Sequence, residues 1–338
     1  MRSIAVAYPI RRILVAVRES GARDFPAAQK AAQLARRLNA ELCLFHAIAT
    51  PIYAETLLVS REPLAQVSEL AMSASARSLE RLAASLRIGG LKVTTATDWD
   101  HPVSDAIIRA AIRFRADLLV AECHRATHPF AWFLHFTDWD LVRSCPLPIL
   151  LVKGSKPYHR SAVLAAVDPT HARAKAADLD EEILRYGAGL TTALGGALHA
   201  VHAYSANVQR PAGMHAMQEA AETQARAVID PLLQHLRMPT ENQHFIEGPA
   251  AEVIESVTRD VGAQILVMGA VSRSGVRRLL IGDTAAQMLD RMSCDILIVK
   301  PARFGRPISV MPRGPQIIVS PALSAAVGAL SRPLKRRV

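Results

Sequence analysis

The residues best suited to chemistry lie in one stretch near the end of the chain, residues 265–300. An apolar run typical of a buried parallel strand comes first and ends at Gly269. A polar, basic loop follows, and Gly282-Asp283-Thr284 then opens a predicted helix, with Asp or Thr as its natural cap. Backbone N–H groups at such a helix start hold phosphate groups in open α/β sheets. The stretch therefore predicts an anion-binding loop.

Other groupings of reactive residues match no catalytic or metal-binding pattern. One segment carries four potential metal ligands, Cys123, His124, His128 and His135. Their spacing fits no structural zinc site, so no metal is expected. His199 and His202 flank the apolar centre of a predicted strand and are interpreted as buried histidines. The sequence shows no lysine-bearing phosphate loop, no paired acid and base and no Mg²⁺ carboxylate cluster, which predicts a protein that is not an enzyme.

The composition is that of an α/β protein with room for two domains. The chain has 338 residues, of which 50% are hydrophobic and only 5% aromatic. Its apolar runs fall short of the ~18 residues of a membrane span. Pro9, Arg11 and Arg12 interrupt the apolar N-terminus, so residues 13–17 are interpreted as a first strand and not as part of a signal peptide. Four cysteines without CxxC pairing predict reduced, buried thiols and a cytoplasmic location.

The net charge of +10 is concentrated at the two ends of the chain. Residues 1–17 hold three arginines, residues 301–338 hold seven basic residues, and neither segment holds an acid. The 30 basic residues between 18 and 300 balance 30 acidic ones, so the globular body is neutral. Solvated tails account for this distribution, and nucleic acid is not expected as a partner.

The second half of the chain repeats the first. Thr137 matches Thr284 and Lys153 matches Lys300, both at an offset of 147 residues. Predicted strands alternate with predicted helices in each copy, which requires right-handed crossovers and a parallel sheet covered on both faces. The predicted fold class is therefore α/β, with two tandem, doubly wound, five-stranded domains of Rossmann-like type.

The repeat also sets the predicted domain boundaries. The first domain is assigned to residues 10–153, a polar linker to 154–160 and the second domain to 161–300. The remaining residues, 301–338, form a basic tail rich in Pro, Gly and Arg that is predicted to be disordered. For its apolar part, residues 317–330, the alternative is a short helix that docks on a partner or on an anionic membrane.

Over residues 10–301 the chain resembles the universal stress protein family, and in particular its tandem, two-domain members of the E type. The family's nucleotide motif, Gly-x2-Gly-x9-Gly-Ser/Thr, stands here as Gly-Ala-Val-Ser at 269–272 followed by Gly-Asp-Thr at 282–284. The sequence at 137–146 resembles the tandem subgroup specifically. The resemblance implies domains like those of the adenine nucleotide alpha hydrolases, packed as a pseudo-dimer that replaces the dimers of single-domain relatives. Whether whole chains also form a homodimer is left open.

The resemblance further implies an ATP site in the second domain. The implied binding residues form three groups, one for each part of the nucleotide. They are Asp168 and Ala203 for the base, Met268 and Gly269 for the ribose, and Ser272, Gly282, Asp283 and Thr284 for the phosphates. At Ala203 the contact would come from the backbone.

Two departures from the family pattern affect the phosphate end of the implied site. Ser272 stands where the family has glycine and adds a side chain where the backbone needs a positive φ. Asp283 replaces a hydroxyl residue and brings a carboxylate to the phosphates, a repulsion of about 4 kcal/mol at an effective dielectric near 20. Arg273, Arg277 and Arg278 are close enough in sequence to offset part of it.

The first domain has lost the pattern altogether. Glu122 takes the place of Gly269, Arg125 takes the place of Ser272, and Arg18 replaces the acid on the adenine side. Bulky side chains therefore occupy the phosphate loop, and the first domain is not expected to bind ATP.

These features together predict a cytoplasmic stress-response protein without catalytic activity, which binds or senses a small ligand through its second domain. An adenine nucleotide is the first candidate ligand. One alternative is a switch that hydrolyses ATP. The other is a protective protein that associates with nucleic acid through its basic ends.

Overall fold

The computed structural model describes residues 10–18, 24–54, 63–123, 136–169, 178–204, 214–269, 283–301, 308–309 and 311–319. Strands and helices alternate along both halves of the chain, as the sequence predicts. Among the described residues, every helix is too short or too polar to cross a membrane.

The first half contains six strands and four helices within the described residues. In chain order they are β1 (Arg12–Ala16), α1 (Pro26–Leu38), β2 (Glu41–Ile48), β3 (Ile52–Tyr53), α2 (Leu64–Arg87), β4 (Val93–Trp99), α3 (Val103–Phe114), β5 (Leu118–Glu122), α4 (Phe136–Ser144) and β6 (Ile149–Val152).

The second half repeats this order, except that none of its described elements corresponds to the short β3. Its described elements are β7 (Ala162–Ala166), α5 (Leu179–Leu194), β8 (Leu198–Tyr204), α6 (Met214–His235), β9 (Gln243–Glu247), α7 (Ala250–Asp260), β10 (Ala263–Gly269), α8 (Asp283–Arg291) and β11 (Asp295–Val299). A 3₁₀ turn at Thr240–Asn242 precedes β9, and a two-residue strand, β12 (Ile317–Ile318), lies in the tail.

Ten of these strands form one continuous sheet in the order β4-β2-β1-β5-β6-β11-β10-β7-β8-β9. Neighbouring strands within each half are parallel. The two halves meet where β6 and β11 pair antiparallel, and we call this strand pair with its flanking contacts the seam. The prediction of two doubly wound, five-stranded domains packed as a pseudo-dimer is confirmed.

The sheet is buried on both faces, which explains why its strands have nearly continuous apolar sequences. In β1, Ile13 and Val15 face one hydrophobic core and Leu14 faces the other. Helices α1, α2, α5 and α6 cover the first core, and α3, α4, α7 and α8 cover the second. Each core runs through both halves, so the two domains share their hydrophobic interior.

Equivalent helices in the two halves end in the same way. Asn39 follows α1 in the left-handed conformation (φ 52°) and donates its N–H to the Ala35 carbonyl. Gly195 follows α5 with φ 68° and donates to the Thr191 carbonyl. Both residues satisfy a terminal carbonyl that the helix itself leaves without a donor. These two caps align α1 with α5 residue by residue.

Two lysines at equivalent positions reach across the seam. Leu150 pairs with Leu297, and these two residues are themselves equivalent, so a pseudo-two-fold axis passes between them. Lys153 donates from Nζ to the Met292 carbonyl at 3.0 Å. Lys300 does the same to the Cys145 carbonyl at 2.6 Å. Each half thus caps the C-terminus of a helix in the other half with a cation, where the helix dipole favours one.

Part of the C-terminal tail packs on the first domain, where the sequence predicted disorder. Ile317 and Ile318 of β12 pair with β3. Upstream, Asp100 Oδ1 accepts the backbone N–H groups of Arg313 at 2.8 Å and Gly314 at 3.0 Å. Backbone pairing and a buried carboxylate therefore hold residues 311–319. Secondary-structure propensity does not reveal such partners, because they lie some 200 residues away in the chain.

The same tail segment closes over a buried ion pair. Asp100 and Arg109 contact each other through Oδ2 and Nη2, and their side chains are 1% and 7% exposed. Arg109 also donates from Nη1 to the Ser309 carbonyl at 3.2 Å. A buried charge costs free energy unless its hydrogen bonds are satisfied. By accepting a hydrogen bond from Arg109, the tail segment therefore contributes to the stability of the first domain.

We expect truncation after Pro301 to speed up amide hydrogen exchange at Ile52, whose N–H donates to the Gln316 carbonyl at 2.8 Å. The free energy of unfolding should fall by about 1–3 kcal/mol, since the buried groups at Asp100 lose hydrogen-bond partners. Truncation after Val319 removes most of the basic residues and keeps the docked segment, so it is the matched control. Equal exchange at Ile52 in the two truncated proteins would contradict this role of the tail.

Lys300 should give the stability of the protein a distinctive dependence on pH. Burial lowers the pKa of Lys300 to about 8 in the folded protein, whereas a lysine in the unfolded chain titrates near 10.4. Between these values the unfolded chain binds the proton and the folded protein does not, so stability from this residue rises with pH. Relative to Lys300→Met, the unfolding free energy of the wild type should rise by about 1–3 kcal/mol from pH 7.5 to 10. Urea titrations measure it, and parallel pH profiles for the two proteins would contradict the assignment.

Candidate ligand site

The candidate site lies where the strand order of the second half reverses direction. Its first strand, β7, is central and has β10 on one side and β8 on the other. Chain connections leave this point on opposite faces of the sheet, so a crevice opens at the carboxyl ends of β7 and β10. We call it the second crevice. Ligands of open α/β sheets bind at this kind of position.

The structure brings Asp168, Ala203 and Gly269 together at this edge. Met268 pairs with Ala166, so Gly269 and Asp168 end adjacent strands at nearly the same level. Ala166 in turn pairs with Val201, which places Ala203 beside Asp168 on the other side. Three of the four positions that the family resemblance implied for the base and the ribose are therefore neighbours.

Asp168 has a fixed backbone at the rim of the second crevice. Its N–H donates to Oδ1 of Asp180 at 3.0 Å, and Asp180 lies in the first turn of α5 with only 8% exposure. The start of α5 is thereby held over the end of β7. A carboxylate at Asp168 can accept a hydrogen bond from an amine of a bound ligand, while the adjoining backbone stays in place.

Gly269 has a packing role that the sequence did not reveal. A Cβ built on Gly269 would lie 2.8 Å from Cδ2 of Leu179 and 3.5 Å from Cδ1 of Ile183. The absence of a side chain thus lets α5 approach the end of β10. Met268 is 4% exposed with its side chain in the core beneath α7 and α8, so only its backbone can face a ligand.

The phosphate end of the implied site is described only in part. Asp283 is the first residue of α8, and Thr284 follows it in the first turn with its side chain half-buried. A helix N-terminus therefore begins where the sequence predicted one. Ser272 and Gly282 lie outside the described residues, as do the three arginines of the loop.

The described elements on the α5 side of the second crevice are acidic. The first turn of α5 carries Asp180, Glu181 and Glu182, which the positive end of the helix dipole favours. Asp168 adds another carboxyl group at the end of β7. This side of the crevice therefore suits hydrogen-bond donors, such as the amine of a base, better than phosphate groups.

A histidine in each half fixes the end of the central strand. His202 is 2% exposed, and its Nδ1 lies 3.2 Å from the carbonyl oxygen of Val167, the residue before Asp168. In the first half, His46 Nδ1 lies 2.7 Å from the Val17 carbonyl oxygen. A carbonyl can only accept, so Nδ1 donates in both cases. From the sequence, His202 is interpreted as a buried residue. A histidine stands late in the second strand of both halves, and this recurrence was the sequence signal for its role.

His199, the other histidine of β8, stacks on His244 of β9. Their rings are 5.4 Å apart, and His199 Nδ1 lies 3.2 Å from His244 Nε2. Burial lowers the pKa of both side chains. Among the described residues, no group of three or more His, Cys, Asp or Glu side chains is arranged to hold a metal ion. Of the sequence cluster that suggested metal ligands, only Cys123 is described, and its side chain is half-buried.

The corresponding edge of the first half carries a carboxylate at the end of β5. Glu122 ends β5 at the position equivalent to Gly269, and its Oε1 lies 3.5 Å from the backbone N of Ala27. Ala27 is in the first turn of α1. The side chain of Glu122 thus occupies a helix N-terminus that could otherwise face an external anion.

Comparisons with known proteins agree with this architecture. The family model described as "Universal stress protein family" matches residues 9–153 and again 160–300. Universal stress protein E of Escherichia coli K12 is 24% identical over 294 residues, covering 85% of this chain and 93% of that protein. The Photorhabdus laumondii protein of the same name is 26% identical over 305 residues, covering 87% and 96%.

Solved structures show the same fold in two other organisms. A putative universal stress protein from Pseudomonas aeruginosa superimposes with a TM-score of 0.67 at 24% identity, over 87% of this chain and 95% of that one. A universal stress protein from Archaeoglobus fulgidus gives a TM-score of 0.59 at 14% identity, over 88% and 99%. The two matched domains and the shared fold lead to one conclusion. The chain belongs to the universal stress protein family, with the tandem arrangement of its E type.

Proposed function

We propose that this protein is a cytoplasmic, non-catalytic stress-response protein that binds an adenine nucleotide or a related small ligand in the second crevice. The observation that carries the proposal is the meeting of Asp168, Ala203 and Gly269 at the strand-order reversal of the second domain. These residues offer a carboxylate, a strand backbone and a position without a side chain to a ligand that enters from the carboxyl edge.

The chemistry of adenine fits the described side of the crevice. The exocyclic amine of adenine can donate a hydrogen bond to a carboxylate such as that of Asp168. Its ring nitrogens can accept hydrogen bonds from backbone N–H groups such as those near Ala203. The contact between His202 and the Val167 carbonyl supports the same arrangement because it holds the strand end that carries Asp168. Pre-organised polar groups of this kind reduce the entropic cost of binding.

The charges favour a ligand with few phosphate groups over ATP. The first turn of α5 and Asp168 are acidic, and Asp283 adds an acidic residue at the start of α8. Thr284 and the N-terminus of α8 remain the groups that would bind a phosphate. We therefore place the base beside Asp168 and a single phosphate near Thr284, with ATP as the weaker ligand.

The proposed function does not include hydrolysis. In this arrangement Asp168 serves the base end of the ligand, and catalysis of phosphoryl transfer would need positioned cations or a metal around the phosphates. An ATP-hydrolysing switch is the alternative, and single-turnover assays with labelled ATP separate the two. A nucleic-acid-associated protein is the further alternative, and it requires DNA retention that weakens steeply with salt.

We expect Asp168→Asn to weaken AMP and adenosine binding by about 10- to 100-fold, because a hydrogen bond to a charged acceptor contributes about 1.5–3 kcal/mol. Isothermal titration calorimetry on the full chain measures this loss. Asp178→Asn is the matched control, since Asp178 is an exposed acid at the start of α5 and the change in charge is the same. Gly282→Arg should remove binding by filling the phosphate end. Absence of heat with millimolar adenosine, AMP and ATP would overturn the proposed function.

A further inference from the structure

We propose that Asp295 makes the seam a selective docking surface, whose partner is the other half of the chain and not a second copy of the same half. This inference is independent of the ligand in the second crevice. It rests on a difference between the symmetric and the asymmetric contacts of the seam.

Most contacts of the seam are symmetric and carry no preference for a partner. The Leu150–Leu297 pair lies on the pseudo-two-fold axis, and the lysine caps from Lys153 and Lys300 are reciprocal. Two first halves, or two second halves, could form the same strand pair and the same caps. Backbone pairing and apolar burial alone would therefore allow three kinds of pair.

Asp295 has a set of partners that only the native pairing provides. Its Oδ2 accepts from Lys30 Nζ at 2.6 Å and from the Tyr158 hydroxyl at 2.5 Å. Its Oδ1 accepts the Lys153 backbone N–H at 2.8 Å. Lys30 and Lys153 belong to the first half and Tyr158 to the linker, while Asp295 opens the last strand of the second half.

The cluster is buried and its geometry is fixed. The side chains of Lys30 and Asp295 are 6% and 2% exposed. Lys30 Nζ also lies 4.8 Å from the centre of the Tyr158 ring. Gln33 of α1 holds the linker through the backbone of Tyr158, accepting its N–H at 2.9 Å and donating to its carbonyl at 2.5 Å. A buried ion pair of this kind is costly to break because the remaining charge loses its partner.

The equivalent positions in the two halves show what wrong pairings would lose. The residue equivalent to Asp295 in the first half is Pro148, at the same offset of 147 that relates Lys153 to Lys300. When α1 and α5 are aligned by their caps, the residue equivalent to Lys30 is Tyr186. Two first halves would set Lys30 against proline, and two second halves would set Asp295 against tyrosine. Each wrong pair buries charges without the native counter-charge.

The size of this penalty predicts a measurable selectivity. Removing one partner of a buried ion pair disfavours the complex by about 100-fold or more. The ratio of unlike to like pairs should therefore exceed its statistical value by at least about 100-fold. Apolar residues at both positions remove the penalty for wrong pairs and should bring the selectivity within about tenfold of the statistical ratio.

The test uses the chain truncated after Pro301, because residues 311–319 dock on the first half and would by themselves favour unlike pairs. A protease recognition sequence is inserted between Ser155 and Lys156, which are exposed in the linker. The folded protein is cleaved, mixed with an isotope-labelled copy, brought to partial dissociation in urea and diluted, and native mass spectrometry then counts the pairs. For the wild type we expect pairs of one first half with one second half, including pairs that join a labelled half to an unlabelled one. Lys30→Met combined with Asp295→Leu should keep the circular dichroism spectrum and allow pairs of like halves. Asp290→Asn, at an exposed acid of α8, is the control and should behave as the wild type.

Two outcomes would overturn the proposal. One is a wild type whose halves recombine in the statistical ratio, with like pairs as abundant as chance allows. The other is a Lys30→Met/Asp295→Leu protein that is folded and as selective as the wild type, which would assign selectivity to other contacts. Asp295→Asn adds a graded test, because it keeps one acceptor oxygen for the Lys153 N–H or the Tyr158 hydroxyl but removes the charge that Lys30 needs. The selectivity of Asp295→Asn should lie between that of the wild type and that of Lys30→Met/Asp295→Leu.

Discussion

The antiparallel pairing of β6 with β11 is the constraint on which the rest of the structure depends. It joins two half-sheets of five strands into one sheet of ten and makes each hydrophobic core continuous across both domains. Each half therefore completes its core and caps its last helix only in the presence of the other. The two domains are distinct in sequence, but their stability is shared, and neither has the independence that tandem domains on a flexible linker would have.

This shared framework leaves the two crevices free to differ. In the second half, Gly269 lets α5 approach the sheet, and Asp168 remains at the rim. In the first half, Glu122 places a carboxylate at the start of α1. Because the sheet and the seam supply the stability, a change at a strand end alters what a crevice can bind without altering the fold. Duplication followed by such changes accounts for two crevices whose strand ends carry different groups, a glycine in the second half and a glutamate in the first.

The sequence predicted the elements and the repeat well because both depend on local pattern. The first strand, predicted at residues 13–17, is observed at Arg12–Ala16, and the offset of 147 correctly identified Lys153 and Lys300 as equivalent. It did not predict that these lysines cap each other's halves, since that depends on which strands meet at the seam. The packing of Leu179 on Gly269 and the docking of residues 311–319 on Asp100 were hidden for the same reason. The implied site was predicted only as far as the family motif extends along the chain.

The antiparallel seam has a directional consequence. All strands of one half run opposite to those of the other, so the two crevices open at opposite edges of the sheet and a ligand in one cannot touch the other. The chain leaves β11 at the edge of the second crevice, yet residues 313 and 314 are bound to Asp100 at the far edge, beyond β4. Residue 301 thus lies beside the opening of the second crevice, whereas residues 313 and 314 are bound at the edge where the first crevice opens, so the C-terminal segment connects the two openings covalently.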